Sequence, residues 1–421
     1  MKYSIFNNIV SVSENIDAVY NAFTDKTLFV KKGLFKKNDL LLHETALYEV
    51  LQKNGFIIDE DIDELNIYKK NVVEIEDDKK SYHLLINPTV DCNFSCWYCY
   101  EKHVRSQMTE DVLNKVMLCI DKILEQRKLL QISFFGGEPL MYFGQVIIPL
   151  LEHVKAISNL TECSYFVNMT SNGFLFNEER IKTLKQYNFN GVQITLDGDR
   201  THHNKVRYNK NGIGSYDKII LNIKELVKNK IPVTLRINCT HENINSVSEI
   251  ASSFDDLNQF DKYYLRIDLQ VVWQEIKQDR LVELMDNIVA SFSKKGILAT
   301  KMSFRDFCYA DKRNSCLINY NGDIFKCTAI DFENTPRDGY LKDDGSIIWE
   351  NDSLERRISS KFRNKPCLSC RILPLCHGGC SKFTLSDSEY CLYNYDEKRK
   401  DKVVLNRIEY NITNQQKKII V

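Results

Sequence analysis

Cys92-Asn93-Phe94-Ser95-Cys96-Trp97-Tyr98-Cys99 decides how the rest of this 421-residue chain is read. It follows His83–Val90, an apolar run that reads as a strand, and Pro88, Asp91 and Asn93 mark the passage into a loop. Three thiolates gathered on such a loop suit three irons of a [4Fe–4S] cluster and leave the fourth iron open. Two other readings stand beside it. One is a helix burying cysteines at i, i+4 and i+7 on one face. The other is a zinc site completed by a donor such as His103.

Outward from this loop, strand and helix patterns alternate. Candidate strands are His83–Val90, Gln131–Phe135, Ser164–Thr170, Val192–Leu196, Pro232–Asn238 and Tyr264–Val272; helices fall at Thr109–Gln126, Glu178–Tyr187, Tyr216–Lys228 and Asp279–Phe292. Six such units predict an α/β fold with a parallel sheet, doubly wound or curled into a barrel. In a barrel the chemistry gathers at the carboxyl ends of the strands. The polar motifs of this chain follow its predicted strands.

Residues 1–80 read as a small α+β unit. Its strands are Asn8–Ser13 and Thr27–Lys31. An amphipathic helix, Glu44–Lys53, puts Ala46, Leu47, Val50 and Leu51 on one face, and a second helix contains Ile62, Leu65, Ile67 and Tyr68. The acidic cluster Asp59, Glu60, Asp61, Asp63 and Glu64 suits the start of that helix as a solvated face. Past residue 300 the alternation gives way to a cysteine-rich, turn-rich segment with few apolar residues, where metal crosslinks would supply stability. Asp396–Val421 is charged and reads as a helical tail.

Lys+Arg and Asp+Glu both number 57. This balance argues against a non-specific nucleic-acid or membrane-surface partner, which would carry a basic excess. The N-terminus lacks the apolar run of a signal peptide, and no stretch approaches the roughly eighteen apolar residues of a spanning helix. The expectation is a cytoplasmic protein whose thiols stay reduced, so fourteen cysteines point to metal or catalysis. Eleven of them fall within Cys92–Cys99 and Cys308–Cys391; Cys119, Cys163 and Cys239 read as small core residues.

CxxxCxxC with an aromatic residue before its last cysteine resembles the signature of the radical S-adenosylmethionine (SAM) superfamily. The resemblance implies that Cys92, Cys96 and Cys99 ligate a [4Fe–4S] cluster whose open iron chelates SAM, with Tyr98 beside the adenine. Reduction would then yield a 5′-deoxyadenosyl radical that abstracts a hydrogen atom. Gly136-Gly137-Glu138-Pro139 resembles the GGEP motif that holds the SAM amino group. Its glycines admit close backbone approach, and Glu138 is suited to accept from an ammonium. Ser171-Asn172-Gly173 resembles the TNG segment near the ribose. Thr195-Leu196-Asp197-Gly198 with His203, Asn204 and Arg207 resembles the SLDG…HDxxR stretch of peptide-modifying members, with Asn204 in place of Asp. Arg207 and Arg236 are the candidates for the SAM carboxylate, against the alternative of structural ion pairs.

The second cysteine group runs Cys308, Cys316, Gly322-x4-Cys327, then Cys367-x2-Cys370-x5-Cys376-x3-Cys380 and Cys391. Eight cysteines suit two four-cysteine sites, and by spacing alone zinc is an alternative. The order resembles the SPASM domain of radical SAM enzymes that act on peptides and proteins. That resemblance assigns Cys308, Cys316, Cys327 and Cys380 to a first auxiliary [4Fe–4S] cluster, and Cys367, Cys370, Cys376 and Cys391 to a second. Clusters with four protein ligands have no open iron and would carry an electron away from a substrate radical.

The implied architecture is a winged-helix-like α+β domain over 1–80, a partial (β/α)6 radical SAM barrel over 81–300, a SPASM domain over 301–395 and a tail over 396–421. The implied enzyme is a maturase that binds a precursor peptide with a leader segment, captured by strand addition at a sheet edge. It would install a thioether or C–C crosslink, with a reductase, flavodoxin or ferredoxin as electron donor. A sulfatase-maturase-like enzyme oxidising one side chain is the runner-up. Those enzymes usually begin near their CxxxCxxC motif and carry Asp after the third SPASM cysteine, where this chain has Thr328. The reading from another class is a non-catalytic iron–sulfur electron carrier.

Overall fold

The alternating segment folds as one long sheet. In chain order its strands and principal helices are β1 (Ser81–Ile86), α1 (Glu110–Gln126), β2 (Leu129–Phe134), α2 (Ile148–Thr161), β3 (Ser164–Ser171), α3 (Glu178–Leu184), β4 (Phe189–Leu196), α4 (Arg200–Val206), α5 (Tyr216–Lys228), β5 (Val233–Cys239), β6 (Leu265–Val271), α6 (Gln278–Lys294) and β7 (Leu298–Lys301). The sheet continues with β8 (Ser315–Ile318), β9 (Asp323–Phe325), β10 (Gly339–Leu341) and β11 (Ile347–Trp349). Strand order is β7-β6-β5-β4-β3-β2-β1-β8-β9-β10-β11. Strands β1 to β7 are parallel neighbours in sequence order, β8 joins β1 in parallel, and β9 to β11 form an antiparallel meander. The computed structural model describes residues 1–35, 46–208, 212–272, 274–275, 278–301, 307–387 and 389–419.

With right-handed crossovers, sequential strand order puts every connecting helix on the same face. The opposite face is left to line an interior, which is the half-barrel arrangement. Leu84, Ile86, Leu130, Ile132, Phe134, Val167, Ile194, Leu196, Leu235, Ile237, Ile267 and Leu269 belong to one core with the helices, each at most 4% exposed. Each such side chain contributes about 1.5–3 kcal/mol of transfer free energy. Thr109 shows how local chemistry sets a boundary: its side chain accepts from Val112 N–H, and Glu110 and Asp111 face the positive end of α1. Pro139–Thr161 is, by length and composition, apolar enough to cross a membrane, contrary to the sequence expectation. Leu140, Val146, Ile147, Leu150, Leu151 and Val154 within it are buried in the protein core.

By contact the chain divides into two compact units, one of residues 79–303 and 314–353, the other of residues 1–78, 304–313 and 354–421. The second unit contains a three-stranded antiparallel sheet of Asn7–Ser11, Ile16–Asn21 and Lys26–Lys31. Its middle strand was not anticipated, because five of its six residues are buried and no polar–apolar alternation marks it. The helices Ala46–Lys53 and Glu64–Glu76 follow, the second capped by Asp63, whose carboxylate accepts from Asn66 N–H at 3.0 Å. Residues 44 and 45 of the expected first helix lie outside the described residues. Phe6, Val10, Tyr20, Tyr68 and Val72 share a core with Ile372 and Leu373 of the cysteine-rich segment and with Val404 and Ile408 of the terminal helix Glu397–Ile419.

Candidate functional site

The carboxyl ends of β1 to β4 deliver the sequence motifs to one cavity. It is lined by Cys92, Phe94, Cys96, Tyr98 and Cys99 of the cysteine loop, by Glu101 and His103 just after it, and by Phe135, Gly136, Gly137, Thr170, Ser171, Asn172, Thr195 and Arg207. The loop is fixed by its neighbours. Asn172 Nδ2 donates to Asn93 Oδ1 at 2.7 Å and to Cys92 Sγ at 3.8 Å. Phe94 packs edge-on against Phe174. His103 engages Val90 O at 2.8 Å through Nδ1, so this ring holds the backbone of the loop.

Gly136 and Gly137 are there because nothing larger fits. A Cβ on Gly137 would sit 1.9 Å from Asp91 O, and one on Gly136 would sit 2.5 Å from Thr89 O, at a φ of +81°. Their backbones therefore lie directly on the cysteine loop, and Glu138 N–H donates to Asp91 O at 2.9 Å. Glu101 Oε2 accepts from Gly137 N–H at 3.1 Å.

Glu138 is held by the protein itself. It lies outside the cavity lining and is fully buried. Its carboxylate accepts from Ser171 Oγ at 2.9 Å, from Asn172 N–H at 2.7 Å and from Leu140 N–H at 3.1 Å. Through those donors it braces the ends of β2 and β3. Burial pushes it up to about 7, against the pull of Asn172 and Leu140. Pro139 opens the 3₁₀ turn that follows and is buried beside it. The carboxylate that does line the cavity is Glu101, which sequence reasoning passed over. Its signal was only its place two residues after Cys99. Burial raises it to about 7.

Tyr98, Asp197, Arg207 and Asn238 form one buried network. The Tyr98 hydroxyl lies 2.7 Å from both Asp197 carboxylate oxygens and accepts from Arg207 Nη2 at 2.6 Å and from Asn238 Nδ2 at 3.0 Å. Arg207 Nε pairs directly with Asp197. Burial works against the Arg207 charge, but Cys96, Tyr98 and Asp197 outweigh it and keep the guanidinium protonated. Arg236 lies outside the lining and holds Asn238 Oδ1 at 2.9 Å. Asn204 has a structural task, since its Oδ1 accepts from Tyr216 N–H at the start of α5.

Burial raises all three loop thiols, Cys92 to about 12, and so works against their thiolate forms. Among the described residues no three His, Cys, Asp or Glu side chains converge on a point fit for a single metal ion. A four-iron cubane asks for something different, because each thiolate bonds its own iron. Three cysteines spread around one cavity wall suit that geometry.

In the other unit, Cys367, Cys370, Cys376 and Cys391 are electrostatic neighbours. Burial first, then the Cys370 and Cys391 thiols, push Cys367 up to about 11. Burial, then Cys367, Cys370 and Cys391, push Cys376 up to about 12. Four clustered thiols that repel one another as anions fit a multivalent cationic centre. Cys308 and Cys380 belong to this unit, and Cys316 and Cys327 to the other. Cys316 is 1% exposed on β8, in the same core as Cys92, and Tyr82 donates to its sulfur at 3.5 Å. Cys119, Cys163 and Cys239 are buried.

Residues 86–254, which contain every residue lining this cavity, match the model of the Radical SAM superfamily. Among curated relatives, the cysteine-type anaerobic sulfatase-maturating enzyme of Clostridium novyi is 30% identical over 159 residues, 36% of this chain and 42% of that protein. Alignments with the first three relatives span only 40–46% of those proteins' lengths. Among solved structures, anSMEcpe with bound AdoMet and Cp18Cys peptide superposes with a TM-score of 0.60 at 18% identity, over 79% of this chain and 97% of that one. Streptococcus suis SuiB superposes with a TM-score of 0.54 at 14% identity, over 93% of this chain and 98% of that one. Both likenesses are likenesses of fold.

Proposed function

We propose that this protein is a radical SAM peptide maturase that installs a thioether or carbon–carbon crosslink in a ribosomally made precursor peptide. The observation that carries the radical chemistry is the single cavity that gathers Cys92, Cys96 and Cys99 with Gly136, Gly137, Ser171, Asn172, Thr195 and Arg207. The four neighbouring thiols Cys367, Cys370, Cys376 and Cys391 support an auxiliary cluster, and the small sheet of residues 7–31 supports leader capture by strand addition. SuiB, whose fold this chain shares, has been solved bound to its precursor peptide SuiA.

With a reduced [4Fe–4S] cluster and SAM in the cavity, the chemistry supplied is homolysis of SAM to a hydrogen-abstracting radical. Cys92, Cys96 and Cys99 would hold the cluster. The glycine backbones let the turn of Gly136 and Gly137 lie directly on the cysteine loop, while Ser171 and Asn172, braced by Glu138, shape the wall beside it. Arg207, neutralised by Asp197, fixes the Tyr98 ring at the cavity edge. A ferredoxin, flavodoxin or reductase supplies the electron.

The Clostridium novyi relative favours a second reading, side-chain oxidation of a protein substrate. Co-expression with the short peptide encoded nearest the gene, followed by intact-mass measurement, separates the two. Loss of a pair of hydrogens with the intact enzyme, but not with Cys92, Cys96 and Cys99 replaced by Ala, is the expected result. An unchanged peptide mass despite SAM cleavage would reject the peptide substrate and favour the protein-maturase reading. Absence of SAM cleavage would reject the enzyme reading altogether and leave the electron carrier.

A further inference from the structure

We infer that Arg266, on the inner face of the sheet, binds a carboxylate of the substrate, so that the peptide taken by this enzyme carries an acidic residue, Asp or Glu, near the position that is modified. The inference rests on the proposed peptide substrate and names its chemical class.

Alternation in β5 and β6 sets the face. Leu235, Ile237, Ile267 and Leu269 pack with the helices. Successive strand side chains point to opposite sides, so Thr234, Arg236 and Asn238 of β5 and Arg266, Asp268 and Gln270 of β6 look into the half-barrel. The parallel register sets them in rows: Thr234 with Arg266, Arg236 with Asp268, and Asn238 with Gln270. A packed barrel interior fills such positions with bulky branched side chains. Here they are polar, and Thr234, Arg236, Arg266 and Gln270 keep part of their surface exposed. This face is a wetted wall and not a core.

Its charges do not balance. Asp268 is buried, and its two carboxylate oxygens each accept from Gln270 Nε2 at 3.0 Å. Arg236 Nε donates to Asn238 Oδ1 at 2.9 Å. Among the described residues no carboxylate closes an ion pair with Arg236 or Arg266, and Arg266 Nε is buried without an acceptor. Two guanidiniums and one carboxylate leave one positive charge over. A buried donor without a partner costs about 1–3 kcal/mol, which an incoming carboxylate would relieve. The planar fork of an arginine pairs with both oxygens of such a group.

The register also separates this fork from the SAM cavity. Asn238, in the row of Gln270, holds the Tyr98 hydroxyl at the carboxyl ends of the strands. Arg266 lies four residues earlier on β6, about 13 Å at the usual rise of about 3.3 Å per residue. A SAM carboxylate held at that end stays out of reach of Arg266, and the fork is left for a second molecule.

Two measurements on the reconstituted full chain test this. The first needs no variant and no natural substrate. Phenylglyoxal labels guanidinium groups, and peptide mass mapping reads Arg266 by itself. Millimolar N-acetyl-Ala-Glu-Ala-amide should protect Arg266 in the SAM-loaded enzyme, and N-acetyl-Ala-Gln-Ala-amide should not. Equal protection by the two, or protection by neither, would overturn the inference. An Arg266 that resists labelling in the free chain is closed to any ligand and would overturn it as well. Protection by SAM alone would give the guanidinium to the SAM carboxylate and have the same consequence.

The second measurement uses the peptide encoded nearest the gene. Arg266→Gln should raise KM for that peptide about tenfold, the scale of one lost charge-assisted hydrogen bond. Replacing the acidic residue of the peptide by its amide should raise KM of the wild type as much and add nothing in the variant. Fully additive effects, an unchanged KM, or modification of a peptide without any acidic residue would overturn the inference. If the wild-type enzyme leaves that peptide unmodified, the peptide-substrate reading fails, and the protection of Arg266 still decides whether the fork takes a carboxylate.

Discussion

The Tyr98 hydroxyl lies 2.7 Å from both carboxylate oxygens of Asp197, which joins the last turn of the cysteine loop to the end of β4. Asp197 would otherwise be a buried carboxylate with Arg207 alone for company, and Tyr98 a ring without a fixed tilt. Together they lock the loop that carries three cysteines onto the rigid end of the sheet. Functional groups held by packed strands are placed more tightly than those left on loops.

Replacing Tyr98 by Phe removes one hydroxyl and leaves Asp197, Arg207 and Asn238 each short of a partner. The cost of such buried unsatisfied groups is about 1–3 kcal/mol. The variant should melt several degrees lower, as thermal unfolding followed by circular dichroism would show. It should still bind iron, because all three thiols remain. Wild-type melting together with wild-type SAM affinity would show that the network positions nothing.

Glu138→Gln tests the bracing carboxylate. Three donors point at Glu138, and the amide would turn its own NH2 group toward one of them. The expected loss is again about 1–3 kcal/mol. Because the carboxylate lies outside the cavity lining, the rise in KM for SAM should come with the stability loss and not without it. A variant of native stability that no longer binds SAM would give Glu138 the role of ammonium acceptor.

The legibility of this chain divides along a physical line. Strong periodicity over several residues gave the alternating strands and helices to within a few residues, and rare residue types at fixed spacing marked the loop at Cys92–Cys99. Strand Ile16–Asn21 escaped because a strand buried on both faces has no alternation to read. The surroundings of Glu138 were not legible for another reason. A motif fixes which residue stands where, but not which way its side chain points, and that depends on the pleat and on the donors nearby. Glu101 escaped because a single carboxylate near a cysteine has no pattern of its own.

His203 predicts a pH dependence. It is fully buried, its Nδ1 accepts from Asp197 N–H and its Nε2–H donates to Ser215 Oγ, so there is no room for a second ring proton. Burial lowers it from an ordinary 6.5 to about 3. Below 6.5 the unfolded chain binds a proton that the folded chain refuses, so stability is complete above 6.5 and is lost as pH falls toward 3. Glu138 acts in the opposite sense between 4.5 and about 7, where the folded chain holds a proton that the unfolded chain releases. The His203 contribution is therefore read most cleanly between about pH 4.5 and 3. Urea unfolding of the iron-free protein across that range should show a shallower acid slope for His203→Gln than for the wild type. Parallel slopes would mean that the imidazole is protonated in the folded protein.

Gly137→Ala puts the close approach of two loops to the test. The added Cβ would lie 1.9 Å from Asp91 O and 2.7 Å from the Val90 carbonyl carbon, both backbone atoms that cannot rotate away. One of the two loops has to move. If the loop of Gly136 and Gly137 moves, Glu138 N–H loses Asp91 O and the cavity wall opens. If the cysteine loop moves, Cys92 leaves the Asn172 amide that holds it. In either case the cavity is altered while the sheet beneath it stays intact, so the far-ultraviolet circular dichroism should be native and SAM cleavage should fall by at least tenfold. Gly144→Ala is the control, because nothing lies within 4 Å of a Cβ placed there. Equal SAM cleavage by the two variants would show that the contact between Gly137 and Asp91 does not shape the site.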